Sequence, residues 1–443
     1  MKRIIFIITI IILVGKAYAQ QKWTLEECIQ YAVEHNISVQ QIELQRQNAE
    51  IDLNTSQMSR LPNLNASMGQ DWSFGRTPTK SGLYENTNQS STSLSISTSI
   101  PLFTGFRINN EIAQNKLTLE AATQNLEKAK EDLSLNIAYL YLEVLFKKEL
   151  LSVAGQQAEY SREQVSKTKA LVDAGKVPLS QLYDIEAQVS RDEVSVIEAD
   201  NALKLALLDL AQSLELENEQ GFDIYVPEID NAISQYTSSV QPVGMVYSNA
   251  LNVKPVVKAQ EYYLESSKKT LEIAKSGYYP QLSLSAGYGV SYYYIYKGDV
   301  ENNPFADQFR DNGREYVGLS LSIPIFNRFS TRNQVRSAKL NIINQELTLE
   351  NTKKALYKDI QTAYLNATAA QEKYLASNKA VRASEESFKY AQERYEIGKS
   401  TVFEFNEAKN RLVQVQSEAI QAKYDYIFRA KILDFYNGIP IKL

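Results

Sequence analysis

The chain repeats itself. Ser99-Ile100-Pro101-Leu102-Phe103 returns as Ser322-Ile323-Pro324-Ile325-Phe326, and Gly175-Lys176 returns as Gly398-Lys399, both at an offset of 223 residues. Tyr141-Leu142 and Tyr364-Leu365 keep that spacing, whereas Leu61-Pro62 answers Tyr279-Pro280 at 218, so five residues of slack fall in a stretch rich in turn formers. A period this long means one structural unit used twice, and it restricts the fold more than composition does. Each copy reads as helix, strand, loop, strand, long helix, turn, helix. We expect a first repeat over 20–216, a polar linker over 217–242, a second repeat over 243–437 and a tail over 438–443.

The helices are long. Arg107 to Val172 contains no proline, and Leu126, Ala129, Leu133, Ile137, Leu140 and Val144 recur at spacings of three and four, the stripe of a packed helix. About sixty-five residues at 1.5 Å each reach roughly 100 Å. Thr331 to Ile397 carries the matching stripe Leu356, Ile360, Ala363, Ala367, Ala370, Tyr374. After each Gly-Lys turn a near-heptad seam follows, from Leu182 to Leu210 in one copy and from Phe405 to Ala422 in the other, so each copy should close an antiparallel coiled-coil hairpin. Shorter helices are expected from Thr24, where Thr24-Leu25-Glu26-Glu27 is a capping-box pattern, to about Arg60, and from about Val243 to Ser276.

Between the helices the period falls from 3.6 to 2. Leu94, Ile96, Thr98 and Ile100 alternate with Ser93, Ser95, Ser97 and Ser99; Leu282 to Tyr296 and Val317 to Ile325 alternate likewise, and Leu64, Ala66, Met68, Trp72 and Phe74 share a face broken by Gln70. Tilted strands of this length cross a bilayer. The polar stretches Gly75–Ser91 and Lys297–Glu315 read as exposed loops.

The opening residues decide whether a bilayer is relevant. Lys2 and Arg3, the apolar run Ile4–Val14 and Ala17-Tyr18-Ala19 before Gln20 have the layout of a secretory signal peptide over 1–19, too short to span a membrane. Its removal takes away Lys2, Arg3 and Lys16, moving the formal net charge from −5 to −8, which gives nucleic acid no basic stripe to bind. Cys28 stands alone inside the mature chain, so it forms no internal disulfide and reads as a buried helix residue. Export, together with aromatic residues near the strand ends (Trp72, Phe74, Phe103, Phe106, Tyr292, Tyr294, Tyr296, Phe326, Phe329), favours strands of an outer-membrane barrel over a sheet on a soluble core. Four strands cannot close a barrel, and an open edge in lipid leaves unpaired backbone groups that cost several kcal/mol each, so the chain must oligomerise. Two copies would give eight strands and three would give twelve; symmetry does not choose between them.

The junctions Ile100-Pro101-Leu102-Phe103-Thr104-Gly105 and Ile323-Pro324-Ile325-Phe326-Asn327-Arg328, the tips Leu171 to Ser180 and Arg394 to Val402, and the opening Trp23-Thr24-Leu25-Glu26-Glu27-Cys28-Ile29 resemble the TolC-type outer-membrane efflux family across almost the whole mature chain. The resemblance implies an α+β membrane protein: a homotrimer whose twelve-stranded barrel, four strands per chain, continues into a long α-helical coiled-coil barrel in the periplasm. It further implies a passive exit duct for efflux or type I secretion, working with a periplasmic adaptor (membrane fusion) protein and an inner-membrane transporter, without cofactor, metal or catalytic residue. Adaptor docking is then expected at the tips Gly175, Lys176, Val177 and Ser180, and Gly398, Lys399 and Thr401. Glu404 and Glu407, three apart on one helix face, match positions where that family sets acidic rings at its periplasmic entrance, and Tyr395 matches a constriction tyrosine. Two positions depart from it: Ser400 stands where the family has a basic constriction residue, beside Lys399, and Gln181 where it has the acidic counterpart. We therefore expect a cation-preferring gate closed by helix packing and hydrogen bonds more than by ion pairs.

Two other function classes compete with a channel. An enzyme would need histidine for Ser-His or zinc chemistry, and the sole one, His35, lies on the first helix; G-x-S-x-G, H-E-x-x-H and P-loop patterns are absent. Inventory leaves a carboxylate-only glycosidase open, but long coiled coils offer no sugar cleft. A periplasmic coiled-coil adaptor or scaffold would share the hairpins yet have no use for four membrane-length strands.

Overall fold

The computed structural model describes residues 22–78, 83–218, 221–227, 241–296 and 301–442; the leader expected over 1–19 lies outside them, as do 219–220 and 228–240 of the expected linker. In chain order the elements are α1 (Leu25–His35), α2 (Ile37–Met58), β1 (Asn63–Pro78), β2 (Tyr84–Phe103), α3 (Arg107–Asp173), α4 (Leu179–Ser213), α5 (Val243–Val253), α6 (Pro255–Ser276), β3 (Gln281–Ile295), α7 (Phe305–Asp311), β4 (Arg314–Ser322), α8 (Ser330–Glu396) and α9 (Val402–Tyr436). α3 and α8 are each 67 residues long, and α4 and α9 each 35.

Two compact units result, and each draws on both copies of the repeat. One gathers the described residues of Met1–Leu44, Gln124–Lys258 and Asn351–Leu443; the other gathers Gln45–Thr123 and Ala259–Glu350. The boundaries fall inside α2, α3, α6 and α8.

The first unit is helical. Ile137, Tyr141, Val144 and Leu145 of α3 form one buried cluster with Leu25, Cys28 and Ala32 of α1, Leu210 of α4, Ala370 of α8 and Tyr426 and Ile427 of α9. Cys28 is fully buried, and burial pushes its thiol up to about 12. The Thr24–Glu27 capping box is present at the start of α1. The single helices expected from Thr24 to Arg60 and from Val243 to Ser276 are each broken once. Asn36 turns the chain to ψ 126° and accepts from the Ser38 and Val39 N–H groups at 3.0 and 3.3 Å, starting α2 afresh. Lys254 turns it to ψ 124° because Pro255 follows and excludes the helical conformation before it. The chain after α4 is fastened by a parallel bridge between Trp23 and Ile224, and the Tyr141 hydroxyl lies 2.6 Å from the Tyr225 carbonyl oxygen, to which it donates. Asp223 there pairs with Lys148 and, at 3.5 Å, with Lys22.

The second unit holds one antiparallel sheet in the order β1-β2-β3-β4. The stretch expected to loop from Gly75 to Ser91 is instead mostly strand: pairing of β1 with β2 continues through Gly75↔Thr87 to Pro78↔Tyr84, since the ladder is made by backbone groups that polar Asn, Gln and Thr supply as well as apolar residues do. The stretch Lys297–Glu315 likewise holds α7 and the first residues of β4. β4 ends at Ser322, short of the expected Ile325, where Pro324 has no N–H for a ladder.

Sharp reversals join strands to long helices. Gly105 and Phe106 are left-handed at φ 62° and 66°, and at the matching junction Arg328 and Phe329 are so at 55° and 60°. At Gly105 a Cβ would lie 2.8 Å from the Ser276 carbonyl oxygen, so glycine is required there by space as well as by φ.

Candidate functional site: the sheet wall and the helical turns

Register assigns every strand residue to a face. The pairings Ala66↔Ile96, Met68↔Leu94, Ile96↔Tyr288, Leu94↔Val290, Leu284↔Leu319 and Ala286↔Val317 place the apolar set on one side. Ser67↔Ser95, Ser95↔Gly289 and Ser285↔Gly318 place hydroxyls and glycines on the other. The apolar side is bare in a single chain: Leu64 is 76 % exposed, Met68 75 %, Val317 78 %. On a soluble core this apolar face would be covered by other elements; left bare, it is built to meet an apolar solvent on that side. Aromatic rings bracket it. Phe103, Phe106 and Tyr279 meet edge-to-face at 5.4 and 6.4 Å near one end, and Trp72, Tyr292 and Tyr294 stand toward the other. On the hydroxyl side Ser67 and Ser95 are hydrogen-bonded between neighbouring strands at 2.7 Å, and register sets the charged Asp71, Glu85 and Arg314 on that side too.

The two helical turns in the other unit are built alike. α3 stops because Gly175 is left-handed at φ 69°, its N–H bonding the Val172 carbonyl at 2.8 Å and that of Lys176 the Leu171 carbonyl at 2.9 Å; Gly398 at φ 72° repeats this with Tyr395 at 3.0 Å and Lys399 to Arg394 at 2.8 Å. No atom lies within 4 Å of where a Cβ would sit at either glycine, so conformation alone demands it. Lys176, Ser180, Gly398, Lys399 and Thr401 are exposed and Val177 is half-buried. Leu179, Tyr183, Ile397 and Phe403 nearby are large, apolar and open to solvent, Phe403 at 76 %.

Of the expected gate residues, the fold brings two pairs together. Gln181 donates to the Tyr395 hydroxyl at 3.1 Å, joining α4 to α8, and the Tyr395 ring stacks on buried Phe405 at 4.9 Å. Glu404 completes a capping box with Thr401 at the start of α9 and accepts from the Ser400 hydroxyl at 2.6 Å. That hydroxyl, then the Thr401 N–H, holds the Glu404 carboxyl below its usual range within one chain. Glu407 is exposed one turn on.

A buried ion pair that the sequence patterns do not announce ties the hairpins together. Lys409 of α9, 2 % exposed, contacts Asp192 of α4 at 2.7 Å and the Ser161 hydroxyl of α3, and the Gln188 amide donates to the other Asp192 oxygen at 2.8 Å. Burial pulls the Lys409 ammonium below its usual range although Asp192 opposes this. The only signal in the sequence is charge inside an apolar seam: Lys409 follows Phe405 at one helical turn and Asp192 follows Gln188. A second buried lysine, Lys254 at the α5–α6 break, reaches Glu131 at 3.2 Å and stands 3.2 Å from the Phe435 ring centroid.

Among the described residues no helix is long and apolar enough to cross a membrane, and no His, Cys, Asp and Glu group could hold a metal ion. The family model described as "Outer membrane efflux protein" matches residues 28–215 and 246–435. The chain is 24 % identical over 437 residues to "Outer membrane protein TolC" of Escherichia coli, covering 96 % of this chain and 84 % of that one. It is 20 % identical to "Outer membrane efflux protein BepC" of Brucella suis, over 74 % of this chain and 67 % of the other. In fold it is similar to the solved CusC structure (TM-score 0.76, 16 % identity, 96 % of each chain) and to the outer membrane protein VceC of Vibrio cholerae (TM-score 0.73, 18 % identity, 93 % and 94 %).

Proposed function

Because the chain belongs to the outer membrane efflux protein family, and so is a passive outer-membrane exit duct rather than an enzyme, we propose that it works as a homotrimer that receives its cargo at the helical turns. The observation that carries oligomerisation is the four-stranded sheet whose apolar face is bare and whose outer strands, β1 and β4, each have one unpaired side; three copies are the number that the family resemblance implies. Twelve strands close that edge and enclose a lumen faced by the serine side, which a soluble adaptor or scaffold would have no use for. The two copies of the repeat, 20–216 and 243–437 with 217–242 between them, then supply two strands and one coiled-coil hairpin each.

Docking of a periplasmic adaptor at Gly175–Ser180 and Gly398–Thr401 is supported by the exposed apolar residues Leu179, Tyr183, Ile397 and Phe403 around those turns. For the entrance, Gln181 bonded to Tyr395 supports a closed arrangement without an ion pair at that level, and threefold symmetry would turn Glu404 and Glu407 into carboxylate rings that attract cations. The reversal potential of purified trimers in a planar bilayer under a salt gradient tests this. Cation preference should weaken in the double variant Glu404→Gln/Glu407→Gln; an unchanged potential removes both residues from the entrance.

A further inference from the structure

β3 outruns the strand beside it. It pairs with β4 only from Gln281 to Gly289, because β4 begins at Arg314, and Val290 to Ile295 run on past that start. In this stretch Tyr296 gives its N–H to Asn88 of the β2 side at 2.7 Å, so the main chain of the odd-numbered residues faces the other way, onto the edge that β4 has left. Such an edge is a template for any passing strand, and near lipid each unmet group is costly.

Each odd residue on that edge is met by a side-chain amide. Asn312 donates to the Ser291 carbonyl at 2.7 Å. Gln308, buried, accepts from the Tyr293 N–H at 2.9 Å and donates to the Tyr293 carbonyl at 2.8 Å. Asn302 accepts from the Ile295 N–H at 2.8 Å and donates to the Ile295 carbonyl at 2.9 Å. A primary amide carries the same donor and acceptor as a peptide group, and the order 312, 308, 302 against 291, 293, 295 continues the antiparallel sense of β4. The chain ahead of β4 therefore imitates the strand that is missing.

The opposite outer strand is over-long at the same end. β1 has sixteen residues against nine in β4, a surplus of seven, and its far portion carries Trp72 and Phe74, 60 % and 75 % exposed, on the apolar face. Phe305 of α7, 53 % exposed, stands against Tyr292 of that same face with ring centroids 5.0 Å apart, and stacks on Phe309 at 5.1 Å. We propose that the segment Asn302–Asn312 is the seat on which the far half of β1 from a second copy of this chain rests, so that the seam between protomers passes from a strand ladder along β4 to an aromatic contact held in place by the amides. This rests on the trimeric reading above.

Disulfide trapping tests it in the full-length protein from outer-membrane fractions. In Phe305→Cys/Trp72→Cys the two thiols of one chain are kept apart by β2, which lies between β1 and the strand β3 that Phe305 packs on, about 10 Å from β1 to β3 at the usual strand spacing and beyond the roughly 7 Å that a disulfide allows, so a bond joins two chains. Oxidation should give dimers and trimers on denaturing gels that reductant reverses. Unheated trimers that form normally while neither this pair nor Phe305→Cys/Phe74→Cys links would overturn the proposal and leave the trimer standing; loss of the oligomer in the parent protein would fail the trimer and the proposal together. Gln308→Met, in the linking background, should lower the yield severalfold and open 301–313 to protease in intact trimers. Unchanged linking and protection would overturn the role of the amides.

Discussion

Lys409 and Asp192 show how a residue can matter more for register than for stability. A buried ion pair repays its desolvation only when its remaining hydrogen bonds are made, and removing one partner strands the other. Ser161 and Gln188 make those bonds here, from two further turns of α3 and α4. Lys409→Met should therefore destabilise detergent-purified protein by about 3 to 5 kcal/mol. The lower end is expected, because a cavity of about 400 Å³ lined by Asp192, Gln157 and Gln414 lets water reach the stranded carboxylate. The double variant Lys409→Met/Asp192→Leu should recover most of the loss in thermal unfolding; a double variant as weak as the single would argue against stranding as the cause. Asp223 is a second case, set by pH. Despite burial, its carboxyl is held below the usual carboxylate range by Lys148, the Ile224 N–H and Lys22. A depressed folded-state pKa adds stability that is fully present above the unfolded value of about 4 and is lost as pH falls through the folded value. Protection of the Ile224 amide against hydrogen exchange should thus fall below about pH 4 in the parent protein, whereas Asp223→Asn should lack that acid step.

At the scale of elements, the strand faces carry the function. Leu94, Ile96 and Leu284 share the apolar side and Ser95 lies opposite, bonded to Ser67. Replacing Ile96 by Arg should cost about 2 to 4 kcal/mol near the bilayer midplane, while Ser95→Arg, pointing to the lumen, should be far milder. Yields of heat-modifiable outer-membrane oligomer measure the difference, and equal yields would refute the register. The strands' alternation was legible in the sequence because a period of two has one physical cause, a pleated backbone between unlike surroundings. Their ends were less so. Gly75–Ser91 reads as loop by polarity, yet backbone groups form its ladder whatever side chains it bears. The helix breaks divide the same way: Pro255 announces the second, but Asn36 sits in a helix-compatible run and breaks it only by capping the next.

For the whole molecule, two long hairpins of equal helix lengths bring both turns under the same conformational rule, a left-handed glycine with nothing else near it. If these turns receive an adaptor, a photo- or thiol-reactive crosslinker placed at Ser180→Cys or Ser400→Cys should capture it in cells; failure at both positions, with trimer and export intact, would count against docking there. Cys28 will not compete for such reagents, since burial holds it as the thiol.

The duplication, the helix lengths, the glycine turns and the two-sided strands are written in local sequence, because each depends on a repeated spacing or on one residue's allowed dihedrals. Family membership could be inferred from the order of those features. What required tertiary structure is every contact between residues far apart in the chain: Lys409 with Asp192, Gln181 with Tyr395, and the amides of Asn302, Gln308 and Asn312 on the edge of β3. Such pairs leave no periodic trace, since what makes a buried charge or an open edge tolerable is the one partner that folding happens to bring within hydrogen-bond reach.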